Sequence, residues 1–416
     1  MIEQLKNLIE EKIKRKVKTR GDCEFISNAI LETLDIEISY STIKRFYGLS
    51  TSTTPNNRTL NTLSQFIGYK NYLHFTEHYE FKHKNKLNYT TYKLVFHEDN
   101  NSLLNLVSQT KSSSENFTDF IIILIRELWH NENYDLINSI FELDALKSNS
   151  FTYSELLYIG NSIGLLIQKK KKINNQLLSN INFLECIYST FVDYSNLNNY
   201  YGKSADIISS QEPTKELHLF SSALSQLKNY LNNKSVSLVN KELIYSKEIH
   251  PILCSRLLSL YFLTSKKTDI QLTLNSYFEL HDKRVNLIDY SHELFTTAIL
   301  TKDVILMEYL INKINLDLSI SFLYQKYHLN SFYLMCMFYY RITNDPINEL
   351  KFKELFSINN CTVGYGFFIQ TLYFIYMFEI TKDNLKKSEI KKEYNELSKK
   401  LNYPIFSESF LTDYFK

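Results

Sequence analysis

Apolar residues recur three and four apart along almost the whole of this 416-residue chain, and no window of strand length alternates convincingly. That period commits the chain to helices packed on helices. The five prolines agree with it: Pro213, Pro251 and Pro346 stand where helices would begin, the last behind Asp345 as an N-cap, while Pro55 and Pro404 fall in connections. None interrupts a long periodic stretch. The expected class is all-α.

Hydrophobic residues make up 44% of the chain and charged residues 22%, a balance that describes a folded protein and excludes a disordered one. The length is too great for one small core, so two to three units are expected. Net charge is only +2, which gives no global basic field to announce a nucleic-acid partner. The 31 Tyr and 28 Phe accompany abundant Asn, Lys and Ile, a bias that AT-rich coding produces unaided, so they carry little functional weight. Cys23, Cys186, Cys254, Cys336 and Cys361 are odd in number, scattered and never paired as Cys-x-x-Cys, which argues against a disulfide framework and a zinc site. The first residues carry acids where an export signal needs a basic start. The apolar runs Phe120 to Ile125 and Phe367 to Ile380 fall short of the roughly 20 residues of a membrane span. A reducing cytoplasm is the expected compartment, with no membrane partner.

The pattern divides the chain in three. Residues 1–80 read as a small helical bundle: a charged helix from Ile2 to about Val17, a turn at Gly21, a helix from Asp22 to about Leu34, two short capped helices, and a fifth short helix through Tyr72 and Tyr79. Residues 81–101 are polar and basic and read as a linker. Residues 102–416 alternate amphipathic segments with polar breaks, as in Phe117 to His130 before Tyr134 to Leu146, Val285 to Leu300 before Val304 to Ile314, and Ser331 to Ile342 before Ile347 to Phe356. Antiparallel helix pairs stacked as an α-solenoid would bury those stripes. The Trp, Gly and Pro landmarks of a tetratricopeptide unit are missing, so the pattern is an irregular helical repeat, with longer loops expected at Lys169 to Lys172 and Asn196 to Gln211.

The segment from Ser39 to Tyr69 carries the clearest functional signal. Ser39 or Ser41 caps its first helix, Ile43 and Phe46 share one face, Lys44 and Arg45 point elsewhere, and Gly48 supplies a left-handed stop. Leu60, Leu63 and Ile67 give the second helix an apolar stripe that ends at Gly68. A preceding helix holds Phe25, Ile26, Ala29, Ile30 and Leu34 for packing. This order resembles the lambda-repressor-like (Xre/Cro) helix-turn-helix family over roughly residues 20 to 70, in which a Ser-x-Ser-Thr-Ile-x-Arg stretch forms the recognition helix and a Pro-x-x-x-Thr-Leu-x-x-Leu stretch follows. The resemblance implies that Tyr40, Ser41, Thr42 and Lys44 face bases and that Arg45 lies nearer the backbone. It also implies a bacterial regulator whose helical repeats dimerise or sense a ligand.

The run from Lys12 to Arg20 holds Lys12, Lys14, Arg15, Lys16, Lys18 and Arg20. Two readings fit it: cations complementing a helix C-terminus, or contacts to phosphates beside the helix-turn-helix. Residues 1–80 hold 11 Lys and Arg against 10 Asp and Glu, so a protein-binding bundle stands beside the DNA-binding reading.

Enzyme signals are thin. His281-Asp282 with Asp289 and His292 hints at a His-Asp metal site, but no second cluster completes a shell, and phosphate loops, a His-Glu-x-x-His helix and a Gly-x-Ser-x-Gly elbow are absent. Thr362-Val-Gly-Tyr-Gly366 spells a potassium-channel filter without spanning flanks and reads as a turn before a helix from Phe367. The aromatic clusters around Phe332 to Tyr339 and Phe367 to Tyr376 read as packing between helices. The expectation is therefore a non-enzymatic DNA-binding regulator without catalytic residues, metal or cofactor. It would act as a homodimer, with a peptide or protein partner on the repeats. An interaction scaffold that binds no DNA is the alternative.

Overall fold

The computed structural model describes residues 1–51, 54–113, 116–211, 214–237, 240–264, 270–281, 287–314, 323–361 and 363–416, and it is all-α. The chain divides into two compact units, Met1–Leu103 and Leu104–Lys416.

The first unit contains α1 (Ile2–Ile13), α2 (Arg20–Leu34), α3 (Tyr40–Phe46), α4 (Asn57–Phe66) and α5 (Tyr72–Phe96). Its core is Leu5 and Ile9 of α1, Cys23, Ile26 and Ile30 of α2, Ile43 and Phe46 of α3, Leu60, Leu63 and Phe66 of α4, and Phe75 of α5. Side-chain caps fix four of the five starts: Thr19, Ser39, Asn56 and Asn71 each accept from a backbone N–H one turn on. Gly48 at φ 75° and Gly68 at φ 98° follow α3 and α4 in the left-handed region, where a side chain would be strained.

Three local expectations need correction. Helix α1 stops at Ile13 rather than Val17, because Lys14 turns left-handed and the Glu10 carboxylate accepts from the Val17 N–H, folding the basic run back on the helix. Phe25 lies 47% exposed instead of in the core, its ring facing the Arg15 guanidinium at 5.6 Å. Residues 81–101, expected as a linker, are largely helical: α5 runs on to Phe96, and α6 (Asn100–Ser113) begins four residues later. No Gly or Pro breaks that stretch, and the Thr90 hydroxyl donates to the Lys86 carbonyl one turn back in a solvent-exposed hydrogen bond, so much of its polarity marks a solvated helix face.

In the second unit α7 (Phe117–His130), α8 (Tyr134–Phe141) and α9 (Tyr153–Lys170) precede a short α10 (Ile181–Phe183) and a wide turn of helix at Leu184–Tyr188. Then come α11 (Tyr200–Ser210), α12 (Lys215–Leu231), α13 (Lys241–Ile244), α14 (Pro251–Thr264) and α15 (Ile270–His281). The remainder is α16 (Leu287–Thr301), α17 (Val304–Lys313), α18 (Leu323–Ile342), α19 (Pro346–Leu355), α20 (Gly366–Ile380), α21 (Asn384–Leu401) and α22 (Glu408–Asp413). Helices α12, α14, α16, α18 and α20 each pack against the next, while α13, α17, α19 and α21 flank that row. Such stacking gives every inner helix apolar neighbours on two sides, which is why α16 is buried from Ile288 to Leu300 almost without interruption.

Residues 196–211 do not form a long loop. Helix α11 occupies most of them, with Tyr200, Tyr201, Ala205 and Ile208 buried. Pro213, Asp282 and Thr362 lie outside the described residues. Within the filter-like pentapeptide Gly364 serves packing: it lies so close to Val192 that a Cβ would fall 1.9 Å from its carbonyl oxygen. Gly366 has open space around it. Gly364→Ala is therefore expected to cost roughly 1–3 kcal/mol as an overpacking substitution. Gly366→Ala should be near neutral, and urea midpoints of the two variants check the difference.

Candidate functional site

The sequence-derived site residues all lie in the first unit. Ser39 caps α3 by accepting from the Thr42 N–H at 3.2 Å, and its hydroxyl also meets those of Ser41 and Thr42 at 2.9 Å each. Tyr40, Ser41 and Arg45 are exposed, Thr42 and Lys44 are half-buried, and Ile43 and Phe46 anchor the helix from beneath. Arg45 folds back along its own helix, its Nε donating to the Ser41 carbonyl at 3.3 Å.

Asp22 organises the basic run. Its carboxylate accepts from the backbone N–H groups of Lys18 and Thr19 at 3.0 and 2.8 Å and from the Thr19 hydroxyl at 2.7 Å, and it pairs with Arg15 at 3.2 Å. Those donors, the Lys18 amide first, hold its pKa below the ordinary carboxylate value. Lys16 pairs with Glu10 at 2.7 Å, and Arg20 with Glu24 at 2.8 Å. Lys14 and Lys18 are exposed. Arg20 also places its guanidinium 4.6 Å from the Tyr40 ring centre. The end of the basic run and the start of α3 therefore meet, whereas Lys12 turns away, its Nζ donating to the Phe66 carbonyl over the Phe66 ring.

The second unit holds a buried polar network that spacing along the chain did not bring together. On α16 the buried Glu293 carboxylate receives Arg256 of α14 at 2.6 Å, the hydroxyls of Tyr194 and Tyr365 at 2.5 and 3.0 Å, and His292 Nε2 at 3.3 Å. Burial alone would raise its pKa, but the Arg256 charge and these hydrogen bonds reverse the shift and hold it low. His292 Nδ1 faces the Asp289 carbonyl at 2.6 Å, so both of its ring nitrogens meet acceptors. His328 of α18 stacks on His292 with centroids 4.1 Å apart, and its Nδ1 meets the Asp289 carboxylate at 3.0 Å.

Of the His-Asp residues noted in the sequence, Asp289 and His292 belong to this network. His281 packs elsewhere, against Tyr277 and Tyr290. Among the described residues no three His, Cys, Asp or Glu side chains are placed to hold a metal ion. One visible signal pointed to the network: Arg256 is the lone charge in the apolar run Leu253-Cys-Ser-Arg-Leu-Leu-Ser-Leu260. Compared with known protein families, with curated proteins and with solved structures, the chain matches none at a significant level.

Burial, reinforced by the neighbouring His292, lowers the pKa of His328 to about 4. The unfolded chain takes up a proton near pH 6.5 that the folded chain refuses until about pH 4, so this residue's stability contribution is lost as pH falls through that window. His328→Asn keeps a donor near Nδ1 and removes the titration. The wild type should lose up to about 3 kcal/mol relative to this variant between pH 6.5 and 4, a difference read from urea unfolding at each pH.

Proposed function

We propose that this protein is a DNA-binding transcriptional regulator in which α3 reads a duplex, the adjoining basic run contacts phosphates, and the helical repeats mediate dimerisation or bind a ligand. The observation that carries the reading is the contact of Arg20 with Tyr40, which joins a cationic turn to a short helix exposing Tyr40, Ser41 and Arg45. A helix anchored by Ile43 and Phe46 and polar outside meets the need of a major-groove reader, whose buried side fixes the pose while the polar side meets base edges. The order of elements resembles the lambda-repressor-like family, and one seven-residue helix reads few base pairs, so two half-sites and a dimer follow from the same logic.

A second reading also has an observation behind it. Arg15, Lys16 and Arg20 already pair with Asp22, Glu10 and Glu24, and Phe25, Leu31 and Tyr40 leave apolar surface exposed nearby, features that suit a protein-binding bundle. Retention on heparin at low salt separates the two. A regulator is held and elutes with salt; a scaffold flows through.

Electrophoretic shift against genomic fragments tests the face itself. Lys44→Ala or Arg45→Ala should weaken binding at least tenfold, while Lys399→Ala on α21 leaves it unchanged. Arg20→Ala should reduce the salt slope by about 1. Equal losses from Lys44→Ala and Lys399→Ala would overturn the assignment.

A further inference from the structure

A cavity of about 340 Å³ opens beside the buried network of the second unit. That volume lies in the range of small-molecule sites. Much of its wall is apolar, from Leu156 and Leu157 of α9, Leu217 and Phe220 of α12, and Leu253 of α14, while Asn161, Thr190, His292 and His328 add polar groups. At its rim stand Thr214, Glu216 and His250, all exposed.

What the cavity asks for is set by Arg256, which lines it and is 97% buried. A guanidinium carries five N–H donors. Arg256 directs Nε to the Tyr194 hydroxyl at 3.0 Å and Nη2 to Glu293, and it places the guanidinium 5.0 Å from the Phe220 ring centre. Its Nη1 donates to no described residue. A cationic donor on the cavity wall favours an acceptor there. Glu293, by contrast, already receives four donors, three on Oε1 and one on Oε2, and does not stand among the residues that line the cavity. Near the opening Glu185 accepts from the Ser148 hydroxyl at 2.5 Å, and Glu216 from the His250 backbone N–H at 2.9 Å.

We propose that this cavity binds a small monocarboxylic acid with an apolar body, its carboxylate on Arg256 Nη1 and its hydrocarbon portion against Leu157, Leu217, Phe220 and Leu253. Guanidinium and carboxylate match in charge and geometry. A single spare guanidinium edge, with Glu185, Glu216 and Glu293 nearby, disfavours a dianion such as a phosphate monoester. The proposal gives a chemistry to the ligand-binding part of the function above and rests on that part alone; its test contains no DNA, so its failure leaves the DNA reading where it stood.

Isothermal calorimetry of the full chain with octanoate and 4-phenylbutyrate, each beside its primary amide and its amine, provides the test. At least one acid should bind, at least tenfold more tightly than its amide, with no measurable binding of the amine. Arg256→Ala would strand the Glu293 charge and risk unfolding, so the site is probed by Leu157→Trp, which fills the cavity from a half-buried position. It should abolish binding while the far-UV circular dichroism stays that of the wild type. Equal affinity for acid and amide, preference for the amine, binding undiminished in folded Leu157→Trp, or no binding by either acid would each overturn the proposal.

Discussion

A carboxylate that must stay charged in a nearly dry interior constrains the second unit more than any other single group. Glu293 is 2% exposed and avoids an uncompensated charge by gathering donors from Arg256 on α14, His292 on its own helix, and the two turns that carry Tyr194 and Tyr365. Apolar contact between stacked helices is tolerant of rotation and slide; an ion pair hydrogen-bonded at four points is not. Buried pairs of this kind add little net stability against an apolar alternative, but removing one partner is severe. The network therefore fixes the register of α14 against α16 while the leucines around it supply the driving force. Gly364 belongs to the same device, because its close approach to Val192 brings the Tyr365 hydroxyl to the carboxylate.

The first unit uses the same principle at its surface. Asp22 gathers the Lys18 and Thr19 amides, the Thr19 hydroxyl and Arg15, turning a run of like charges into a defined loop at the start of α2. Without such an acceptor, six cations in nine residues would repel one another and extend. The carboxylates of Glu10, Asp22 and Glu24 are thus part of how a basic segment acquires a shape.

Much of the fold was legible because its signals are local. The all-α class follows from spacing; the span of α7, the Asp345 cap before Pro346, the Ser39 cap and the glycine after α3 each depend on a few neighbouring residues. Where the sequence misled, polarity stood in for irregularity: Phe81 to Phe96 and Tyr200 to Ser210 look like breaks, yet they hold no proline and fold as helices with solvated faces. Phe25 was misplaced for the opposite reason, since helical spacing names a face without telling how wide the covered part is. The Glu293 network was hidden because Tyr194, Arg256, Glu293, His328 and Tyr365 stand far apart in the chain and meet only through helix stacking. Arg256, a charge stranded in an apolar run, and Asp289 and His292 of the His-Asp pattern were its traces.

The pairing of the basic run bears on how fast a partner arrives. Three of its cations are paired at close range with Glu10, Asp22 and Glu24, which weakens the field that the run projects toward a Debye length of about 10 Å. A polyanion is correspondingly less strongly steered toward such a face at long range. Once in contact it competes for guanidinium and ammonium groups held only by weak, solvent-exposed ion pairs. Selectivity on such a surface lies in the exchange of one set of anions for another, and it is expressed in how long a complex lasts.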